Sequence, residues 1–284
     1  MAALKEIKNR IASVRSTLKI TSAMKMVASA RLHHVQATAT ALAEYERGLS
    51  EMLAALCASS GKKVESPLTE PHEAPAHAVI VAVSSDGSLC GAFNANIAKS
   101  VAQQVKALRK EGYGRVTVLP VGEKIAQAAV KAGYAVEDRF RSLAGSVSYD
   151  GAAMLADRLT EGYETGEFDH VVLVFNHFHS MGRQVPTVEC FLPVPDEPLP
   201  ATAAEYLCEP GAAQLTAELL PYTLRTRLYA MLLDSATAEH AARTIAMQTA
   251  TDNAKELLDE LSLTYNKRRQ QAITDELADI TPND

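Results

Sequence analysis

The chain has 284 residues, 47% of them apolar but only 5% aromatic, and no Trp. That is enough apolar material for a core, but for thin aliphatic seams rather than a core of stacked rings. A net charge of −6 excludes nucleic-acid binding by bulk charge, and four scattered cysteines (Cys57, Cys90, Cys190 and Cys208) exclude a disulfide scaffold and any C-x-x-C site. No apolar run reaches the roughly 18 residues that a membrane-crossing helix needs.

The first segment, residues 1–58, carries seven Lys or Arg against one Glu within its first 35 residues, +6 on a chain whose remainder sums to −12. Such a basic end points to an acidic partner or to a solvated face. It lacks the apolar centre of a secretory signal and runs straight into a regular pattern, so it reads as mature structure. Ile7, Ile11, Val14, Leu18, Thr21, Lys25, Ala28, Leu32, Val35, Ala39, Leu42, Glu46, Leu49, Leu53 and Leu56 recur by fours and threes. A period of 3.5, held this long without Gly or Pro before Gly48, predicts one long helix in a left-handed coiled coil. A helix of that length needs a partner along it.

Residues 59–76 are rich in Ser, Pro and Glu and form a linker. Residues 77–193 alternate strands with helices. Strands are expected at His77–Val83, Val116–Leu119, near Tyr134–Asp138 and at Val171–Phe175, with an edge or antiparallel strand at Val185–Phe191. Helices are expected near 93–111, Glu123–Lys131 and 148–164. This order implies an α/β layer on a mainly parallel sheet. A Pro-rich segment, 194–211, returns the chain to a second long helix, 212–284, whose start Pro221 is expected to kink. Its stripe is read as Leu215, Leu219 and Tyr222, then Met247, Ala250, Ala254, Leu257 and Leu261, closing on Ile273, Leu277 and Ile280. The two terminal helices pair most simply antiparallel, giving a long two-helix arm on a central α/β domain. Thr21, Lys25 and Glu46 are polar where the seam should be apolar, and are read as places where a third partner surrounds the pair.

The stretch SSDGSLCGAFN, Ser84 to Asn94, follows the first strand and opens a helix, the usual place for a phosphate or a catalytic group in an α/β fold. It lacks the Walker pattern, its nearest Lys-Ser pair (Lys99, Ser100) lies well along the helix, and no G-x-G-x-x-G is present. Cys90 has no evident His and Asn or Asp to serve it. The alternative reading is a tight turn relieved by Gly87 and Gly91. His177 and His179 share one face of a strand as a possible metal pair, but no third ligand is spaced to match. His33 and His34 are helix neighbours pointing about 100° apart, a poor chelate. No catalytic site, cofactor site or metal site is assigned.

Two stretches carry a specific resemblance. KEIKNRIASVRSTLKITSAMKMVASA, Lys5 to Ala30, resembles the N-terminal helix of F-type ATP synthase gamma subunits. EHAARTIAMQTATDNA, Glu239 to Ala254, with LTYNKRRQQAITDEL, Leu263 to Leu277, resembles the C-terminal helix of the same family. The loop Ser84–Asn94 matches the start of the family's α/β domain. It departs in having Gly87-Ser88 where the family usually has Arg-Gly, and the chain ends in Thr-Pro-Asn-Asp284 where a Gly-Ala tail is frequent. Without a chloroplast-type cysteine insert or a clear transit peptide, the resemblance is to the bacterial type.

The resemblance implies an antiparallel coiled coil with a central Rossmann-like α/β domain, acting as the non-catalytic rotor of a proton-translocating enzyme peripheral to the cytoplasmic face of the inner membrane. It implies a ring of three alpha and three beta subunits around the shaft, with the epsilon subunit and c-ring at the foot. It places Met24 and Lys25 against an acidic lever loop of beta, Arg269, Gln270 and Thr274 against a beta catch loop, and Tyr206 and Glu209 near epsilon and the c-ring. The alternatives are a coiled-coil adaptor unrelated to rotation and an α/β enzyme with coiled-coil arms.

Overall fold

A computed structural model describes residues 2–60, 66–194 and 211–280. In chain order the elements are α1 (Ala2–Ser60), β1 (His77–Val83), α2 (Phe93–Lys110), β2 (Arg115–Val121), α3 (Glu123–Lys131), β3 (Ala135–Val136), a 3₁₀ turn (Arg141–Gly145), α4 (Tyr149–Glu164), β4 (His170–Ser180), β5 (Arg183–Leu192) and α5 (Ala212–Ile280). The sheet order is β3-β2-β1-β4-β5. The first four strands in that order are parallel to their neighbours, and β5 closes the edge antiparallel to β4. This is the sheet expected of strands joined by crossover helices, ended by one hairpin through Met181 and Gly182.

The period-2 alternation of the strands sorts their side chains into two cores. Ala78, Ile80, Ala82, Val116, Val118, Val172 and Val174 face one way, onto Ile97, Val101, Val105 and Leu108 of α2 and Ile125 and Ala129 of α3. Val79, Val81, Val83, Leu119, Val121, Leu173 and Phe175 face the other way, onto Leu155 and Leu159 of α4 and Leu220, Leu224, Leu228, Met231 and Leu232 of α5. One end of α5 is therefore part of the sheet domain's own core, and α1 joins it there through Leu53. The helix continues through Pro221 as a single span.

The helices α1 and α5 run antiparallel, with Tyr45 opposite Tyr222 beside the sheet domain and Thr21 opposite Thr251 away from it. Every position of the 3.5-residue pattern in α1, from Ile7 to Leu56, is buried or half-buried. On α5 the stripe differs by one residue from the sequence reading in part of its length. Thr251 is buried and Leu258 half-buried, whereas Leu257 is 42% exposed. The sequence is ambiguous here because Ala250 and Leu257 are as apolar as the residues that follow them. Thr21 is filled from within the pair, bonding Thr251, rather than facing a third chain.

Candidate functional site: a shaft, its base and its tip

The loop after β1 is occupied by its own side chains. Ser84 N–H donates to the Val121 carbonyl, and Ser84 Oγ accepts from Ile125 N–H at 3.0 Å, tying the loop to the start of α3. At the neighbouring turn Gly122 has φ +113°, and a Cβ there would run into the Ser84 carbonyl, so only glycine fits. Ser85 Oγ donates to the Gly87 carbonyl at 2.6 Å, Ser85 N–H to Asn94 Oδ1 at 3.1 Å, and Asn94 Nδ2 to Ser85 Oγ at 2.8 Å. Asp86 accepts from Glu123 N–H at 3.0 Å. Cys90, 1% exposed, packs with Phe93 onto Ala238 and Ala242 of α5. The loop thus plugs the sheet onto the shaft, and its polar atoms satisfy one another instead of converging on a ligand.

A second grip lies beside it. Asp234 of α5 accepts from Phe178 N–H at 3.1 Å and sits 2.6 Å from His177 Nδ1. His177, rather than joining His179 as a metal pair, is fastened to the shaft, a partnership with a residue 57 positions away that spacing in the sequence could not reveal. Among the described residues no group of three His, Cys, Asp or Glu is placed to hold a metal ion. Arg225 reaches Asp157 of α4 at 2.6 Å, and Arg227 reaches Glu189 of β5 at 3.4 Å. Just above, Glu239 and Arg243 pair at 2.5 Å and are each about 15% exposed. The Arg243 guanidinium lies 3.5 Å from where a Cβ on Gly87 would stand. Burial pushes the Glu239 carboxyl up, against the pull of Arg243. Burial, with the charges of Arg243 and Arg31, pushes His240 down to about 4.

From Met247 onward α5 buries Met247, Thr251 and Ala254, and α1 buries Thr21, Ala28 and Leu32. Met24 and Lys25 are half-buried on α1 at this level. Asp252, across from them, is held below its ordinary range chiefly by the Gln248 amide, with help from Lys255 and Lys25. Outward from the seam stand Ile20 (60% exposed), Met26 (66%) and Val27 (54%), and on α5 Leu263 (72%). The sequence reading does not single out this apolar outer face, although these residues fall off the 3.5-residue pattern and so have to point away from it.

Arg269, Gln270 and Thr274 are exposed near the end of α5, where Thr274 Oγ1 donates back to the Gln270 carbonyl at 3.0 Å. Following the register from the Thr21–Thr251 contact, α1 begins opposite about residue 270 of α5, so the last turns extend beyond their partner. Ile273 and Leu277 are accordingly 49% and 59% exposed, not seam residues. Lys25 lies opposite Met247 in that register, so the two patches are separated by roughly 33 Å along the shaft at 1.5 Å per residue. Tyr206 and Glu209 lie outside the described residues. No described helix is long and apolar enough to cross a membrane.

Base, shaft and tip define a class of protein: an α/β head gripping a two-helix arm whose outer face exposes apolar residues. Residues 3–282 match the family described as ATP synthase. The chain is 47% identical over 287 aligned residues to an ATP synthase gamma chain of Bacteroides fragilis, covering 99% of this chain and 98% of that one. It is 45% identical to one from Parabacteroides distasonis, covering 99% and 97%. The chain belongs to the ATP synthase gamma-chain family. Its fold is shared with the central stalk and c-ring structure of the Tetrahymena thermophila mitochondrial ATP synthase (TM-score 0.56, 23% identity, 81% of this chain and 99% of that one). It is also shared with a Euglena gracilis mitochondrial ATP synthase OSCP/F1/c-ring structure (TM-score 0.61, 15% identity, 98% and 92%).

Proposed function

We propose that this chain is the central-stalk rotor subunit of a proton-translocating F-type ATP synthase. It performs no chemistry itself and couples c-ring rotation to conformational change at the catalytic sites of beta. The observation that carries this reading is the full-length match to gamma chains in a molecule whose longest elements form one arm. At 59 and 69 residues the two helices are about 88 and 104 Å long, far more than the sheet domain needs for its core.

In this reading the arm stands in a ring of three alpha and three beta subunits. The α/β domain meets epsilon and the c-ring at the cytoplasmic face of the bacterial inner membrane, as a peripheral component. Met24 and Lys25 face the lever loop of beta, Arg269, Gln270 and Thr274 its catch loop, and Tyr206 and Glu209 the foot contacts. Rotation acts by population shift: each angular position of an asymmetric shaft favours a different conformation in each beta subunit through differential contacts. Exposed charge pairs contribute only about 0–1 kcal/mol each. Steric push by a stiff arm therefore dominates, and the +6 of the first 35 residues guides the fit.

Two measurements test the proposal. The untagged chain purified from its native membranes should bring alpha and beta with it in threefold excess, and the isolated chain should show no ATP binding by calorimetry. Recovery without alpha and beta, or micromolar ATP binding, would contradict it.

A further inference from the structure

We infer that the cavity between the start of α2, the β4–β5 hairpin and α5 binds a small neutral aromatic molecule bearing one N–H or O–H donor, and that Asn176 receives that donor. The cavity measures about 200 Å³. Its walls are Cys90 and Phe93 at the start of α2, Met181 of the hairpin, and Ala242, Ile245 and Ala246 of α5. Met181 and Ile245 are each 42% exposed, which places the opening to solvent between the hairpin and the shaft. An apolar cavity of roughly 150 Å³ is enough to take up benzene, so this one has room for one ring or two fused rings.

Asn176 gives the cavity its chemistry. It lines the cavity and is fully buried. The alternation of β4 puts it on the same face as Val172 and Val174, towards α2. Its backbone lies in the ladder opposite Pro186, so it meets the cavity through its side chain. Asn176 Nδ2 donates to the Phe93 carbonyl at 3.2 Å. A reversed amide would set two oxygens against each other, so the hydrogen-bond network fixes the orientation. Asn176 Oδ1 then has no hydrogen-bond partner among the described residues. An unpaired buried acceptor is costly, and a ligand that brings a donor removes that cost. The rest of the lining narrows the class. Gln184 also lines the cavity, but its Nε2 is spent on the Ser180 and Met181 carbonyls. Among the described residues no charged side chain lines the cavity. A cation would meet the positive end of α2 without a carboxylate to pair it, and an anion would meet the lone pairs of Oδ1. A neutral donor on an apolar ring fits both the wall and the acceptor. A bound ring touches hairpin and shaft together, so occupancy would stabilise the joint by mass action. The site belongs to the chain alone and does not depend on the assembly proposed above.

The test uses the full chain labelled with carbon-13 at the methionine methyls, with indole and indene as probes. The two share one bicyclic frame, and indene has a CH₂ where indole has its N–H. The Met181 methyl, assigned through Met181→Leu, reports a ring placed in the cavity. Indole should shift that resonance saturably, and indene should bind about tenfold more weakly, the effect of one hydrogen bond to an otherwise unpaired buried acceptor. Ala246→Leu, which fills the cavity from the α5 side, should abolish the indole shift. The indole–indene comparison is made on the unsubstituted chain, so it decides the matter even if that variant does not fold. No Met181 shift up to the solubility limit of indole would overturn the inference. Equal affinity for the two probes would do the same, since it would mean an apolar hole in which Asn176 is satisfied by water. A shift that persists in folded Ala246→Leu would place the ring elsewhere and overturn it as well.

Discussion

The base and the upper shaft are built from the same two helices but on different physical terms. At the base, α5 gives Leu220, Leu224, Leu228, Met231 and Leu232 to the core of the sheet domain and is fastened by Asp234, Arg225 and Arg227 to three different elements. Above it, the fully buried seam residues are Thr21, Ala28 and Leu32 against Met247, Thr251 and Ala254, with one hydroxyl pair, and Ile20, Met26, Val27 and Leu263 face outward. Large side chains locked in a core specify a rigid joint. A thin seam leaves those outer residues available to another surface. Core packing and exposed apolar surface are thus divided along one pair of helices, and substitutions at the two levels should separate stability from the proposed contact role.

The largest effect is expected at the base. Leu228 is fully buried, so Leu228→Ala should cost about 2–5 kcal/mol through lost transfer energy and the cavity left behind. Denaturant unfolding of the isolated chain would measure it, and a cost below that of truncating an exposed leucine such as Leu263 would contradict the division.

The junction should also respond to pH. The folded chain holds His240 near 4, whereas the unfolded chain titrates near the ordinary 6.5. The unfolded state therefore binds the proton first, so this contribution is complete above about pH 6.5 and is lost as pH falls towards about 4, on the order of 1–3 kcal/mol. Glu239, whose pKa is raised, acts in the opposite sense and offsets part of it. His240→Gln should flatten the difference in unfolding free energy between pH 7 and pH 5. An unchanged slope would remove His240 from the account.

A smaller loss, about 1–2 kcal/mol, is expected for Asp234→Ala, which strips the Phe178 N–H and His177 of their acceptor. Asp234→Asn keeps an acceptor and should recover part of it in the same unfolding experiment.

The smallest effects on stability belong to the shaft. Met26→Ser should stay within about 0.5 kcal/mol of the parent, yet lower ATP synthesis in reconstituted complexes. In the same assay Lys25→Ala should reduce coupling modestly, and Arg269→Ala with Gln270→Ala should reduce it more. Abolition by Lys25→Ala with no effect of the double change would overturn the steric account.

Much of this division is legible in the sequence, for reasons that differ by residue. The α1 seam is readable because a 3.5 period held from Ile7 to Leu56 has only one helical interpretation. The sheet is readable because β1, β2 and β4 are short apolar runs between turn signals. The α5 seam is readable only to within one residue, because Ala250 and Leu257 run beside Thr251 and Leu258 with similar local apolarity. The Asp234–His177 grip is invisible in the sequence because it joins residues far apart in the chain. The proposed contact residues Met24, Lys25, Arg269, Gln270 and Thr274 come from family resemblance. Their packing is that of ordinary half-buried or exposed shaft residues, which no pattern in one sequence distinguishes.

The central claim is that the α/β domain and shaft turn as one body within a fixed ring. Single-molecule observation tests it most directly: a complex immobilised through beta, with a probe on an exposed cysteine introduced at Lys110 of the α/β domain, supplied with ATP. Stepwise rotation of the probe in one direction is the predicted result. Sustained ATP hydrolysis with a stationary probe would contradict it.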